Sequence, residues 1–570
     1  MSITRYELTV CLVTDSPLHS GGIDEVPDRM RAKEERRTTA RRFARDGRGR
    51  PVLTGRSVKG AVRAACERYL KADPPQEVLQ HLGAGGEDRD RLWGNPRSGE
   101  SRAATLTFHS IELTPASDSA SGAEGPDEPG LPTRTGIAID RYWGAAGDTA
   151  LFEHEYVPTD TSLTLTVTAQ AGPMPLSRSE ESLPAPSSPP ATEQQVEQLF
   201  AVIIGLLESG RVAFGGRRNA GWGRVRLAEG ARPWTLVKFS LGSREDLLGS
   251  LAGGQDITST VTPVSCTEPE RVQIRIDWDS PTGILVAETP AETEASGEAQ
   301  ADPSPTDPPV ANSESVSDEA RRESKPTTPL RSGLRGDDLL VLPGSSIRGA
   351  LRSRASRIAR TVLAARRDEG VNDWSETGVH DQLAADPSLV RDLFGTTERR
   401  GTLSVLDTLA SSAGTCRTIT HNAGDRWTGG VAEGALYSEE VHDVEWNAIT
   451  LELDPNRLPA DDNRRRAAWC LLGLVLAELA TGTLPLGSRG TRGLGQVEVK
   501  GLTVTGLEWL GLPDGGTKSF KAGAGRSGRD VAKALLEHLR AVNATITPNA
   551  GADAAGWSSY LIDTEEKRNG

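Results

Sequence analysis

Aromatic side chains make up only 4% of this 570-residue chain, methionine occurs three times, and hydrophobic residues reach 36%. A chain this long with so little apolar material does not build one large core. Its length fits two to four domains, and two large domains diluted by polar inserts account best for the composition. Cysteine is sparse too: Cys11, Cys66, Cys266, Cys416 and Cys470 are odd in number, scattered, and never in a C-x-x-C pair, which argues against a disulfide framework and against a zinc site. The start, MSITRYELTV, lacks a basic stretch leading into an apolar one, and every longer apolar stretch is broken by charge well short of a membrane span. The chain therefore reads as soluble and cytoplasmic, with no membrane partner. Signatures for nucleotide hydrolysis, zinc proteolysis, esterases and dinucleotide folds are also missing. His109, His154, His421 and His442 are too dispersed in sequence to be paired.

What the chain does have is acid, with a net charge of −14. That seems to exclude nucleic acid, whose phosphates need Lys and Arg. The distribution weakens the objection. Ala287 to Ser324 holds ten acidic residues against Arg321 and Arg322, in a context of Pro, Ser, Ala and Thr, and Pro115 to Gly130 adds four more acids. The remainder is close to neutral, with its arginines clustered.

The two halves carry the same landmarks in the same order. An alternating strand, RYELTVCLV, ends at Asp15-Ser16-Pro17, and VQIRIDW ends at Asp279-Ser280-Pro281. LTGRSVKGAVRAACERYL matches LPGSSIRGALRSRASRIA, pairing Gly55 with Gly344, Ser57 with Ser346, Lys59 with Arg348 and Arg63 with Arg352. Leu92-Trp93-Gly94 matches Leu393-Phe394-Gly395, and ATLTFHSIEL matches TLSVLDTL. Next, Asp140-Arg141 matches Asp425-Arg426, and Glu155 matches Glu440. After a further strand (LTLTVTA, AITLELD) and an apolar helix (QVEQLFAVIIGLLESG, AAWCLLGLVLAELATG), FGGRRNAGWGRVRL matches LGSRGTRGLGQVEV. Strand, helix, strand, strand, helix, strand is the ferredoxin-like order, so the expected fold class is α+β, with two ferredoxin-like domains in tandem and disordered inserts. The expected boundaries are 1–240, then 265–510 carrying the acidic insert 287–324, then a C-terminal extension 511–570 with one helix, GRDVAKALLEHLRAV, and a frayed polar ending.

Two features of each half suit an RNA backbone. Gly55 with Ser57, and Gly344 with Ser345 and Ser346, put a flexible Gly and a Ser N-cap before a helix whose first turns hold Lys59 and Arg63, or Arg348 and Arg352; free N–H groups, helix dipole and basic side chains then converge on one anion. The late loops surround Arg217, Arg218 and Trp222, or Arg489 and Arg492, with glycines that admit a phosphodiester, while Trp222 offers a stacking face. A bland reading of each feature stands beside this: a capped helix and a tight turn. Finding both features twice favours the functional one. Trp93, Trp143 and Trp427 serve equally as core anchors or stacking platforms. Asp24, Glu25 and Asp28 follow His19-Ser20-Gly21-Gly22, and a carboxylate there can position a metal or activate a ribose hydroxyl; a solvated acidic loop is the alternative.

These repeats resemble the RAMP superfamily of CRISPR-associated proteins, particularly the backbone subunits of type III effector complexes. Pro343-Gly344-Ser345-Ser346-Ile347-Arg348-Gly349 with Arg352 is close to the family's turn-helix motif; Thr54 and Arg56 depart from it in the first repeat. The similarity covers roughly residues 5–228 and 271–500. It implies a palm that grips guide RNA and a hairpin thumb, with Arg141 and Arg426 as thumb-proximal RNA contacts unless they pair internally with Asp140 and Asp425. It further implies complementary single-stranded target RNA and other effector subunits as partners. Active relatives cut target RNA with a metal-assisted acid before the P-G-S-S turn. Here that place holds Thr38-Thr39 and Thr327-Thr328, so cleavage with Mg2+ or Mn2+ would have to fall to Asp24 or Asp28. A precursor guide RNA processing nuclease and a duplicated protein-interaction module are the competing functions.

Overall fold

The computed structural model describes residues 3–25, 39–71, 74–82, 91–94, 103–113, 131–142, 144, 146–172, 190–266, 271–287, 329–332, 339–366, 377–412, 414–512, 516–521, 527–549 and 555–562. Asp28, Trp143, Thr38, Thr327, Thr328 and the acidic insert lie outside them.

In the first half the elements are β1 (Thr4–Thr14), β2 (Gly21–Glu25), β3 (Thr39–Phe43), α1 (Gly55–Lys71), β4 (Leu106–Phe108), β5 (Thr133–Ile139), β6 (Ala146–Glu155), β7 (Ser162–Ala171), α2 (Glu193–Glu208), β8 (Val225–Leu227) and β9 (Trp234–Ser240). The second half repeats the plan with β10 (Val272–Asp279), α3 (Gly344–Ala365), β11 (Leu403–Val405), β12 (Thr415–Gly424), β13 (Val431–Asp443), β14 (Ile449–Leu453), α4 (Asp462–Ala480) and β15 (Glu498–Thr505). It then adds β16 (Lys518–Lys521) and α5 (Gly528–Ala544).

The first sheet runs β9–β1–β7–β4, with β8 also pairing β1, and the second runs β16–β15–β10–β14–β11. All pairs within these two sheets are antiparallel. Each half therefore has the ferredoxin-like arrangement, the first and third strands of the motif central and a helix following each of the first and third. The period-2 signal is what drives it. Tyr6, Leu8, Val10 and Leu12 of β1 are buried, as are Val272, Ile274, Ile276 and Trp278 of β10, while the residues between them turn outward. α2 starts at a capping box in which the Gln195 N–H donates to Thr192 Oγ1 (3.2 Å) and the Thr192 N–H to Gln195 Oε1 (3.1 Å). Among the described residues no helix is long and apolar enough to cross a membrane, and all five cysteines are free.

The packing extends beyond the expected boundaries at two places. Residues after 240 stay with the first half: Gln255–Asp256 pairs with β9, and the Val264 N–H donates to the Ala201 carbonyl (3.1 Å). The C-terminal extension packs on the second core as far as residue 562, and the polar ending beyond it lies outside the described residues. α5 lies along α4 with Leu539 against Gly473, and Tyr560 and Leu561 are buried, their carbonyls accepting from Ser388 Oγ (2.6 Å) and the Ser388 N–H (3.0 Å).

Between the second and third core strands each half projects a hairpin. β5–β6 belongs to a four-stranded sheet, β2–β3–β6–β5, whereas β12–β13 is a two-stranded ribbon. Asp140 and Asp425 do the same job at the two turns: the N–H groups of Tyr142 and Trp427 donate to their Oδ1 atoms, both at 2.8 Å.

Candidate nucleic-acid interface

The late glycine loops are backbone copies of each other. Arg217 (φ 54°) and Arg489 (φ 62°) hold the left-handed conformation, open a 3-10 turn, and are followed by Gly221 (φ 77°) and Gly493 (φ 88°). The Phe214 and Leu486 N–H groups donate to Gly223 and Gly495 carbonyls at 2.8 and 2.9 Å. A non-glycine left-handed residue is uncommon, and finding it at matched arginines marks a shape both halves need. The glycines have fold reasons. A Cβ on Gly223 or Gly495 would stand 2.0 or 2.1 Å from the carbonyl oxygens of Phe214 or Leu486. The N–H groups of Gly216 and Gly223 are committed to His19 and Pro17 carbonyls, both at 2.8 Å. The expected open row of N–H donors is thus largely used internally.

The two left-handed arginines reach the same place on the two hairpins and meet different chemistry. Arg217 Nη1 lies 3.0 Å from both ring nitrogens of His154, which no in-plane hydrogen bond allows, so the guanidinium lies against the ring face. It also stacks near Phe152 and Trp222, at 5.3 and 5.1 Å from their centroids. Burial, followed by Arg217, His19 and Arg41, drives the His154 pKa down to about 3. Burial, followed by Arg134, lowers Arg217 to about 10. Dispersed though the histidines are along the chain, the rings of His19 and His154 sit 5.0 Å apart. In the second half Glu439 occupies the position of His154. Its carboxylate accepts from Arg489 Nε (2.5 Å) and lies 3.3 Å from His421 Nε2. Arg492 donates to the Tyr437 hydroxyl.

Trp222 is 2% exposed, with Arg134 at 5.2 Å over the ring face, so it anchors the core instead of offering a stacking surface. Trp93 is likewise interior, stacked on Phe108, while Trp427 is 95% exposed at the tip of the second hairpin.

At the turn-helix motifs, Gly55 and Gly344 begin the helices, and Ser57, Ser345 and Ser346 fall within the first turn instead of capping it. The Gly55 N–H donates to Ser110 Oγ (3.1 Å) and the Gly344 N–H to Asp407 Oδ1 (2.8 Å), so one donor of each terminus is spent. A Cβ at Gly55 or Gly344 would meet a strand carbonyl, Phe108 or Val405, at 2.1 or 2.2 Å. Lys59 and Arg63 remain half-exposed, the latter paired with Glu67 (2.8 Å). Arg348 instead donates to the carbonyls of Leu403 (3.3 Å) and Phe394, and Arg352 to Asp386 Oδ2 (2.7 Å) and the Gly395 carbonyl (3.1 Å).

Arg141 has a partner beyond its own hairpin. It crosses to the other half and forms a buried ion pair with Asp386, while Gln382 takes the Arg141 N–H on Oε1 (3.0 Å) and donates to Asp140 Oδ2 (3.1 Å). The matching Arg426 is exposed. Asp24 stands on β2, beside β3.

The seam between the halves gathers arginines from both of them. Arg134 meets Asp407 (2.6 Å), Arg224 and Arg271 share Glu452 (2.6 and 2.7 Å), and Arg400 Nε donates to Asn219 Oδ1 (2.5 Å). Around this seam Arg68, Arg211, Arg218, Arg271, Arg400 and Arg457 lie within each other's field, and Asp454 and Glu452 are the acids among them. Burial comes first, then the neighbouring Arg457 and Arg218, and together they push Arg400 down to about 9; burial and neighbouring arginines lower Arg68 and Arg218 as well, with Asp454 opposing the shift at Arg400 and Arg68. Arg68 and Arg400 are nevertheless open to water. A cationic cluster in which arginines outnumber acids is a place where a bound anion relieves repulsion.

The RAMP superfamily model matches residues 11–226 and 325–498. A chain of a solved Type IV-B CRISPR Complex is 16% identical over 42% of this chain and 91% of its own, with a TM-score of 0.24. No curated protein matches. With two matched regions spanning more than half of its length, one in each ferredoxin-like half, the chain belongs to the RAMP superfamily as a tandem of two units.

Proposed function

We propose that the chain is a subunit of a CRISPR effector complex, and more finely that it holds guide RNA as a fused pair of backbone subunits in an RNA-targeting type III complex serving antiviral defence. The observation that carries this is the arginine cluster at the seam, in which Arg68, Arg211, Arg218, Arg271, Arg400 and Arg457 outnumber Asp454 and Glu452 in a chain of net charge −14. Backbone phosphates suit such a cluster because arginines neutralise them without reading sequence, and guide choice can then be left to base pairing. Lys59 and Arg63, half-exposed on α1, and the exposed Arg426 and Arg492 of the second half add further basic side chains. The inward Arg348 and Arg352 support the fold and need not touch RNA.

The purified chain should bind single-stranded RNA with little sequence preference and with affinity that falls as salt rises. Salt-insensitive binding, or none, would refute the reading. Target cleavage, if this subunit performs it, would fall to Asp24 or Asp28 with Mg2+ or Mn2+; a carboxylate there can hold the ion near the scissile phosphate or help deprotonate the 2′-hydroxyl. A guide-loaded complex given complementary RNA, compared with Asp24→Ala and Asp28→Ala, separates the outcomes. Cleavage surviving both changes removes these residues from the role.

A further inference from the structure

Cys416 and His442 face each other across the β12–β13 ribbon, and Glu440, two residues before His442, shares their face because side chains alternate. Cys416 Sγ, a Glu440 carboxylate oxygen and a His442 ring nitrogen all lie within 4.8 Å of one another. Cys416 is a free thiol open to solvent, Glu440 is half-buried, and His442 is 6% exposed. His442 Nε2 has no hydrogen-bond partner among the described residues. A buried ring nitrogen without a partner is rare enough to need an explanation. Burial, and after it Arg331, holds the His442 pKa below its usual value, against the opposing pull of Glu440.

We propose that Cys416, Glu440 and His442 bind a divalent metal ion of the zinc class that staples the base of the second hairpin. One sulfur, one nitrogen and one oxygen donor suit zinc, leaving a fourth tetrahedral position for water, whereas magnesium and calcium prefer all-oxygen sets. Loading replaces the Cys416 thiol proton with a metal–sulfur bond and releases that proton to solvent. The position gives the staple a purpose. His442 bridges to Ile284, and Ile284 and Leu285 press on Gly487, at the start of the loop that sets Arg489. The first hairpin has the equivalent bridge, Leu18 to Val157, with valine in place of the histidine. That hairpin is braced by β2–β3 and by the buried ion pair of its tip; the second is a two-stranded ribbon, which is marginal without further support.

This inference does not depend on RNA binding, and its test uses no RNA. The full chain, stripped with chelator, is titrated with Co2+ as a spectroscopic stand-in for Zn2+. Wild type should take up one equivalent with thiolate-to-cobalt charge-transfer absorption that Zn2+ displaces. Cys416→Ser should lose that absorption, while Cys11→Ser, a change at the other exposed cysteine, should keep it. Glu440→Gln and His442→Gln should each weaken Co2+ affinity by roughly tenfold or more. Zn2+ should also raise the melting temperature of wild type but not of Cys416→Ser. Absence of the charge-transfer absorption in wild type at saturating Co2+, or its survival in Cys416→Ser, would overturn the site.

Discussion

The two hairpins begin from one plan and end in different situations. Both turn on an Asp that accepts from the N–H two residues on, and both present a side chain to a left-handed arginine in the glycine loop. In the first half that side chain is a buried, neutral His154, and the tip is docked through Arg141 on Asp386; in the second it is Glu439, and the tip ends in an exposed Arg426 and Trp427. What the halves share is therefore what the fold requires. Where they differ, one copy has been turned inward to join the halves and the other left facing outward.

The largest effect should come from cutting the internal joint. Asp386 is fully buried and serves Arg141 and Arg352 together, so Asp386→Ala leaves two guanidinium groups without their carboxylate and should cost about 3–5 kcal/mol in denaturant unfolding. Asp425→Ala, at the free tip, should cost about 1 kcal/mol or less. Equal costs would break the distinction between docked and free hairpins.

Shared features should respond alike. Gly55→Ala and Gly344→Ala each drive a Cβ into a strand carbonyl and should each destabilise by about 1–3 kcal/mol, read from urea midpoints. A large cost in one half alone would show that the matched glycines do not share a reason.

Acid should distinguish the halves at His154. Its folded pKa is depressed to about 3 from an ordinary 6.5, so between those values the unfolded chain binds the extra proton and stability falls as pH falls. On the order of 1–2 kcal/mol should be lost between pH 7.5 and 5 through this group, and His154→Gln should narrow the difference in melting temperature between those two pH values. An unchanged difference would remove His154 as the cause. The smallest effect is expected from deleting Ala287 to Ser324: a segment without hydrophobic periodicity cannot build a core, so melting temperature and soluble yield should be unchanged.

The fold was largely legible in the sequence because its signals are local. Alternation marked β1 and β10, an apolar helix followed each central hairpin, and glycines recurred wherever two backbone segments cross. The functional surface was much less legible. Matching the repeats selected landmark positions, and several of their side chains, Arg348, Arg352 and Trp222 among them, turn inward in one half. Arg271, Arg400 and Arg457 have no such periodic or repeated signal. They meet Arg68 and Arg218 of the first half only because the halves pack on each other. The same holds for Cys416, Glu440 and His442, whose spacing looks meaningless until antiparallel register sets two strands side by side.

The central claim is that RNA lies along the seam, and the salt dependence of RNA binding tests it most directly. Affinity for single-stranded RNA should be measured across salt concentrations for wild type and for the combined change of Arg68, Arg218, Arg400 and Arg457 to Ala. The account predicts weaker binding at every salt concentration and a log–log slope shallower by about 0.7 for each phosphate that is no longer neutralised. An affinity and slope indistinguishable from wild type, in a variant that still folds, would contradict it.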